Sequence, residues 1–352
     1  MKKILITGGC GFVGSHLALH LRSVLPPEAE IVCLDNLYRK GSELNVPRLE
    51  AAGVRFFKGD VRHADGFPAE KFDLLIECSA EPSVLAGSDG ATGYLFDTNV
   101  MGLYRCLEKC RADGAGMIFL STSRVYPVAA LESHPFDELE TRFSWQEGLT
   151  EGISKKGVSE RLAMWGARSL YGCTKLAGEQ LIEEYRAAFG LRAAVNRCGV
   201  IAGPWQFGKV DQGVVALWVM AHLAGRPLSY IGYGGQGKQV RDLLHVQDLC
   251  LLVEDQVRRL DEWDGWLGNV SGGFDRSVSL LELTALCREV TGSETPVGAG
   301  AAARPFDLRV YMGDCSRLFE RTLWRPGRDV RTVVEDTARW ARDHQEVLLK
   351  LW

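Results

Sequence analysis

The stretch Lys3-Ile-Leu-Ile-Thr-Gly-Gly-Cys-Gly-Phe-Val-Gly-Ser15 decides the fold. Lys3–Thr7 is a short run of apolar, mostly branched side chains and reads as a buried strand. Glycines at 8, 11 and 14 follow with the spacing G-x-x-G-x-x-G, and a helical pattern over Gly11–Leu25 begins inside them. The first glycine permits the tight turn, and the second lets backbone come close to a pyrophosphate. The third packs helix on strand, and the helix start offers N–H donors to phosphate. Gly8, Gly11, Phe12, Val13 and Gly14 are therefore candidate cofactor-binding residues.

Working outward, β-rich runs at Ile31–Leu34, Val54–Lys58, Leu74–Cys78 and Gly116–Ser121 alternate with helical patterns, the clearest at Asn99–Ala112. Such alternation implies βαβ units, hence an α/β chain with a Rossmann-type, doubly wound parallel sheet. The carboxyl ends of the strands share one edge, where such sheets bind ligands. Asp35 ends the second strand 21 residues after Gly14, where a carboxylate can hold both ribose hydroxyls and repel the extra phosphate of NADP. NAD is the cofactor expected, with Asn36 beside that carboxylate. Asp60 and Val61 end the third strand, where Asp60 can accept from an adenine amino group. Ser79 and Ala80 end the fourth, small enough for backbone to pass close to the cofactor.

Pro127–Leu170 is polar and glycine-broken and reads as a long excursion over the active-site edge. A helix over Leu170–Phe189 and a strand over Arg192–Cys198 follow. Glycine and proline then become denser, and amphipathic patterns appear at Leu280–Thr291 and Val330–Lys350. The expected division is an NAD-binding domain over 1–190, with strands contributed from 191–250, and a smaller C-terminal substrate lobe over 199–352.

The chemistry is concentrated at Tyr171-Gly-Cys-Thr-Lys175, which sets a phenol and an ammonium at i and i+4 on one helix face. A phenol of pKa near 10 is a poor base at neutral pH, and a neighbouring ammonium brings that value down. Tyr171 can then take or return the proton of a sugar hydroxyl. Thr122, at the end of the fifth strand, offers a hydroxyl to the substrate oxygen.

Composition narrows the alternatives. The 352 residues are 46% hydrophobic and 24% charged, with a formal net charge of −4. That balance argues against a nucleic-acid binder, which needs a basic face. No run reaches the length of a membrane span, and the start of the chain lacks a signal-peptide pattern, so a cytoplasmic protein is expected. Ten cysteines contain no Cys-x-x-Cys pair and read as scattered, reduced thiols; no metal is expected.

Taken together, these motifs resemble the extended short-chain dehydrogenase/reductase family over essentially the whole chain, through Leu323-Trp-Arg-Pro326. The resemblance implies that Thr122, Tyr171 and Lys175 are the catalytic trio and that Lys175 also holds the nicotinamide ribose. It places Asn99 on the nicotinamide side. Family members that eliminate water resemble Thr-Asp-Glu where Thr122-Ser-Arg124 stands here, and decarboxylating members usually carry Glu at that last position. Arginine cannot move protons usefully. Oxidation at a ring carbon with return of the hydride remains: a nucleotide-sugar epimerase, an isomerase of carbohydrate biosynthesis.

Within the family the likeness is strongest to 2-epimerases of CDP-linked sugars. The segments that carry it include Leu34–Gly41, Glu138–Arg142, Gln206-Phe-Gly-Lys-Val-Asp-Gln-Gly213 and Gly237-Lys-Gln-Val-Arg-Asp-Leu-Leu-His245. Pro127 where the family has Gly, Glu81 where it often has Gln, and the 145–169 insert depart from the pattern. By the same resemblance Gln206, Arg241, Arg304, Asp307 and Arg309 bind substrate, with Arg241 on the diphosphate, and the helices Asn99–Ala112 and Leu170–Phe189 pair across a twofold in a homodimer. UDP-sugar 4-epimerisation uses the same trio, and a non-catalytic NAD sensor uses the same fold; both stay open here.

Overall fold

Seven short runs pair into one parallel sheet in the computed structural model, which describes residues 2–88, 90–208, 212–300, 304–346 and 348. Across the sheet the strands stand in the order Trp266–Val270, Ala193–Cys198, Gly116–Thr122, Leu74–Glu77, Lys3–Thr7, Glu30–Asp35 and Arg55–Lys58. The order reverses at Lys3–Thr7, whose neighbours are the second and fourth strands in sequence. That reversal is the switch point of a Rossmann-type α/β sheet, where a crevice opens beyond the strand ends. Strand Gly116–Thr122 is buried at every residue, as a central strand covered on both faces must be.

The chain divides into two compact units. One comprises Met1–Thr122, Leu170–Arg197 and Leu249–Leu267; the other Ser123–Ser169, Cys198–Asp248 and Gly268–Trp352. The chain passes between the units at 122/123, 169/170, 197/198, 248/249 and 267/268. The first unit packs Leu5, Val32, Leu75, Met117 and Phe119 of the sheet against Leu103, Leu107 and Ile182 of two helices.

In the second unit, strand Val240–His245 runs parallel to Val200–Ala202 and Val310–Tyr311 and antiparallel to Ser277–Ser279. Helices Val214–Ala224, Leu280–Thr291 and Val330–Asp343 share a core with Trp218, Leu283, Val334 and Trp340. The middle helix starts on a capping box: Ser279 accepts from the Glu282 N–H and Glu282 accepts in return from the Ser279 N–H.

Three stretches differ in detail from their sequence pattern. The helix placed at Asn99–Ala112 begins at Gly93 and passes through a widened π-turn at Asp97–Met101 before continuing to Asp113. Helix Val330–Asp343 is interrupted by a turn at His344, after which 345, 346 and 348 are helical again; residues 347 and 349–350 of the expected Val330–Lys350 span lie outside the described ones. The excursion at 127–170 is not structureless, carrying a helix at Val128–Ser133 and hairpins pairing Phe136–Glu138 with Phe143–Trp145 and Ile153–Ser154 with Gly157–Val158. Among the described residues no helix is long and apolar enough to cross a membrane.

Candidate active site

The glycine turn forms as its spacing demands. Gly8 sits at φ 62°, and a Cβ there would lie 2.8 Å from the backbone of Cys78 and Ser79. A Cβ on Gly14 would lie 2.3 Å from the carbonyl of Gly8, so helix Phe12–Val24 can only close on its strand with glycine there. That helix starts at Gly11 with no side chain capping it, which leaves its first N–H groups to a bound anion. An uncapped helix start above a cradle that admits no side chain fits a dinucleotide pyrophosphate.

Asp35 stands at the strand end expected of it. One carboxylate oxygen accepts from Cys10 N–H at 3.0 Å and the other from Leu37 N–H at 2.8 Å, so the acid braces the glycine turn. Burial pushes its carboxyl up, and the N–H donors of Leu37, Cys10 and Gly11 work against that rise. Leu37 takes φ 59°, a left-handed conformation that the tight loop after Asp35 imposes. Asn36 donates to Asp60 at 3.0 Å. Asp60 is already held by the Arg62 guanidinium at 2.7 Å; burial opposes its charge, but Arg62 and Asn36 prevail and hold the carboxyl well below the usual range. Val61 is a core side chain beneath Gly102.

Asn99 lies within the π-turn. Its carbonyl oxygen accepts from Glu81 N–H at 2.8 Å, and its amide donates to Glu81 O at 3.1 Å and to Thr174 Oγ1 at 3.0 Å. The side chain expected near the nicotinamide thus ties the loop after Ser79 and Ala80 to the helix that carries Tyr171 and Lys175. Thr122 and Tyr171 are each 8% exposed and Lys175 3%. Two groups with no role in the sequence reading stand beneath them. Glu179, one turn past Lys175, accepts from Ser121 Oγ at 2.5 Å and from both arms of Arg197. Glu77 lies 3.5 Å from the Lys175 ammonium and accepts from Ser79 Oγ at 2.5 Å. An acidic residue closing the apolar run Leu-Leu-Ile was the signal for Glu77.

The second unit holds a cavity of about 790 Å3, lined by Arg124, Arg226, Arg241, Arg304, Asp307 and Gln239 with an apolar floor that includes Leu217, Trp218 and Leu283. Arg241 donates to Asp307 at 2.8 Å, and Arg124 donates to the Phe306 carbonyl at 3.1 Å. Gln239 was missed in the sequence, although it lies two residues before Arg241 and so shares its side of an extended chain. Its amide donates to Ile231 O, while its carbonyl oxygen is buried and accepts from no donor among the described residues.

Two residues expected to bind substrate are not among those lining this cavity. Arg309 is bound by Glu132 and covered by the rings of Phe136 and Tyr233 at 4.8 and 5.0 Å, because the glutamate and two aromatic faces compete for the guanidinium. Gln206 donates to Ile201 O at 3.0 Å and does not line the cavity. Lys209, Val210 and Asp211 of the same segment, and Ala303 before Arg304, lie outside the described residues. Among the described residues no three His, Cys, Asp or Glu side chains are arranged to hold a metal ion.

Residues 4–254 match the NAD dependent epimerase/dehydratase family. The chain is 29% identical over 353 aligned residues to CDP-paratose 2-epimerase of Salmonella typhi, covering 96% of this chain and 98% of that one. It is also 29% identical to dTDP-glucose 4,6-dehydratase of Streptomyces antibioticus, over 97% and 93% of the two chains. Among solved structures, the UDP-glucose 4-epimerase of Thermus thermophilus in complex with NAD superposes with a TM-score of 0.76 at 25% identity, covering 97% of this chain and 99% of that one.

Proposed function

This chain belongs to the NAD dependent epimerase/dehydratase family, and we propose that within it the protein is a nucleotide-sugar epimerase, CDP-paratose/CDP-tyvelose 2-epimerase-like in its substrate. The observation that carries the reading is Arg124. Elimination of water needs an acid and a base close after the catalytic hydroxyl, and the two positions after Thr122 hold Ser123 and a guanidinium that donates to Phe306 O and lines a cavity with three other arginines. Arg124 serves neither purpose. The curated relative with a matching activity, CDP-paratose 2-epimerase, spans nearly the whole chain.

In this reading Tyr171 takes the proton of a ring hydroxyl and Thr122 holds the same oxygen. Lys175 supplies the positive charge that favours phenolate. Bound NAD would supply a reversible hydride acceptor for the ring carbon, and return of the hydride to the opposite face would leave the cofactor as it began. Gly8, Gly11, Phe12, Val13 and Gly14 hold the pyrophosphate, and Asp35 the adenosine ribose, with Asn36, Asp60, Val61, Ser79 and Ala80 along the same strand ends. Asn99 acts through Thr174 on the catalytic helix. Arg241 and Arg304 take the substrate diphosphate, where a guanidinium bonds two oxygens at once.

The exposed Phe96, Met101 and Tyr104 on one helix and Phe189 on another fit pairing with a second copy of the chain. Ten cysteines with no disulfide among the described residues suit a reducing cytoplasm.

Incubation with CDP-, UDP-, GDP- and dTDP-linked sugars, followed by NMR of the ring protons, tests the reading. Inversion at carbon 2 of a CDP-linked sugar supports it. Inversion at carbon 4 of a UDP-sugar would move the assignment to the other epimerase class, and formation of a 4-keto-6-deoxy sugar would replace it with dehydration.

A further inference from the structure

Lys175 is the one charged side chain of the proposed trio, and it is almost wholly buried. It is 3% exposed, inside a unit whose surrounding strands are apolar. A buried ammonium without a partner gives up its proton, and a neutral amine does nothing to favour phenolate at Tyr171. Something in the fold has to balance it.

Four elements around the ammonium carry candidate groups. Strand Gly116–Thr122 offers the face of Phe119, 4.1 Å from Nζ, a favourable but weak partner. Helix Gly102–Asp113 presents Cys106, fully buried, whose thiol burial pushes well above its ordinary value, so it stays neutral. On the helix of Lys175 itself, Tyr171 is the group to be activated and Glu179 is consumed by Arg197 and Ser121. Strand Leu74–Glu77 brings Glu77, 2% exposed, with Oε2 at 3.5 Å from Nζ. Its other oxygen accepts from Ser79 Oγ at 2.5 Å, and that hydroxyl lies 3.4 Å from Thr7 Oγ1, so the ends of two neighbouring strands fix the carboxylate in place.

We propose that Glu77 is a positioning residue of the active site, the buried counter-ion that keeps Lys175 charged and in place beneath Tyr171. One of the ammonium's N–H donors is directed at Glu77, and the others remain for a bound ribose. The carboxylate touches neither substrate nor the reacting atoms and acts only through Lys175. The inference rests on the reading of Tyr171 as the base, and it goes beyond that reading because the motif Tyr-x-x-x-Lys carries no trace of a partner 98 positions away.

The test needs no sugar. In NAD-loaded protein, the difference in phenolate absorbance between wild type and Tyr171→Phe isolates the titration of Tyr171. Repeated in a Glu77→Gln background, that titration is expected to move upward by about one pH unit or more, a tenfold loss of phenolate at neutral pH. Glu77→Asp, which keeps the charge, should restore most of it. An unmoved titration in Glu77→Gln overturns the proposal, and so does a downward shift, which would mean that Glu77 screens Lys175 rather than sustaining it. If Glu77→Gln does not fold, NMR of 15N-lysine-labelled wild type, assigned with Lys175→Arg, reads the same property. A charged Lys175 Nζ at pH 7 to 8 supports the proposal, and a neutral amine overturns it. Full turnover by Tyr171→Phe would sink the base assignment instead, so the two failures are distinguishable.

Discussion

Asn99 Nδ2 donates to Thr174 Oγ1 at 3.0 Å, and Thr174 Oγ1 in turn donates to the carbonyl of Tyr171 at 2.8 Å. Through these two bonds the π-turn at Asp97–Met101 is fastened to the first turn of the catalytic helix, immediately before Lys175. Widened turns recur at functional sites because they turn one side chain out of helical register. Asn99→Ala should leave a buried hydroxyl and the Glu81 backbone short of partners and lower stability by about 1–3 kcal/mol. It should reduce kcat more than it weakens NAD, read from urea melts and cofactor titration of the same preparation.

Tyr171→Phe removes the proton-transfer group and little else. The expected loss of turnover is on the order of a hundredfold or more, with NAD still bound. Near-normal activity in the folded variant would remove Tyr171 from the mechanism.

At the other end of the cofactor, Asp35→Ala should weaken NAD and narrow its advantage over NADP, since the anion that repels a 2′-phosphate is gone. The same change frees the N–H groups of Cys10 and Leu37 that Asp35 now accepts. The glycine turn should therefore also exchange its amide hydrogens faster. Unchanged cofactor preference would take Asp35 away from the ribose.

Arg241 and Arg309 make a matched pair. Arg241 lines the cavity and shares Asp307, whereas Arg309 is bound by Glu132 away from it. Arg241→Ala should raise KM for the nucleotide sugar by about tenfold or more, the loss expected of a charged hydrogen bond. Arg309→Ala should lower stability and leave KM nearly as it was. The reverse pattern would restore the expectation drawn from sequence.

The pH dependence of stability has one clear contributor at Glu282. Burial opposes its charge, but the Arg142 guanidinium, the Ser279 N–H and the Thr141 hydroxyl outweigh it and hold the folded carboxyl below its ordinary value. Because the folded value is depressed, the contribution is complete above the ordinary glutamate value of about 4.3. It is lost as pH falls through the folded value. Glu282→Gln should cost about 1 kcal/mol at pH 7, and the gap from wild type should close in acid. A gap that persists at low pH would assign the loss to the capping box alone.

What the sequence disclosed and what it hid follow from distance along the chain. The glycine turn, Asp35 and the Tyr171–Lys175 pair are legible because their geometry is set within a few residues, by turn sterics and by helix periodicity. The pairings of Glu77, Glu132 and Asp307 are not. Their partners lie 98, 177 and 66 positions away, and only the folded sheet and loops bring them together. Helix Val214–Ala224 escaped for another reason. It is apolar nearly all round and mostly buried, so no face stands out for a period to reveal. Strand Trp266–Val270 is interrupted by Gly268, which weakens the alternation that marks a strand.

The central claim is that a hydride leaves a ring carbon and returns to it within one binding event. A CDP-linked sugar carrying deuterium at carbon 2, incubated in ordinary water, tests it most directly by NMR and mass spectrometry of the product. The account predicts an inverted carbon 2 that keeps its deuterium, with no net NADH in the absorbance record. Deuterium lost to solvent would mean proton abstraction beside a carbonyl, and a steady rise of NADH would mean plain oxidation. Either result contradicts the epimerase.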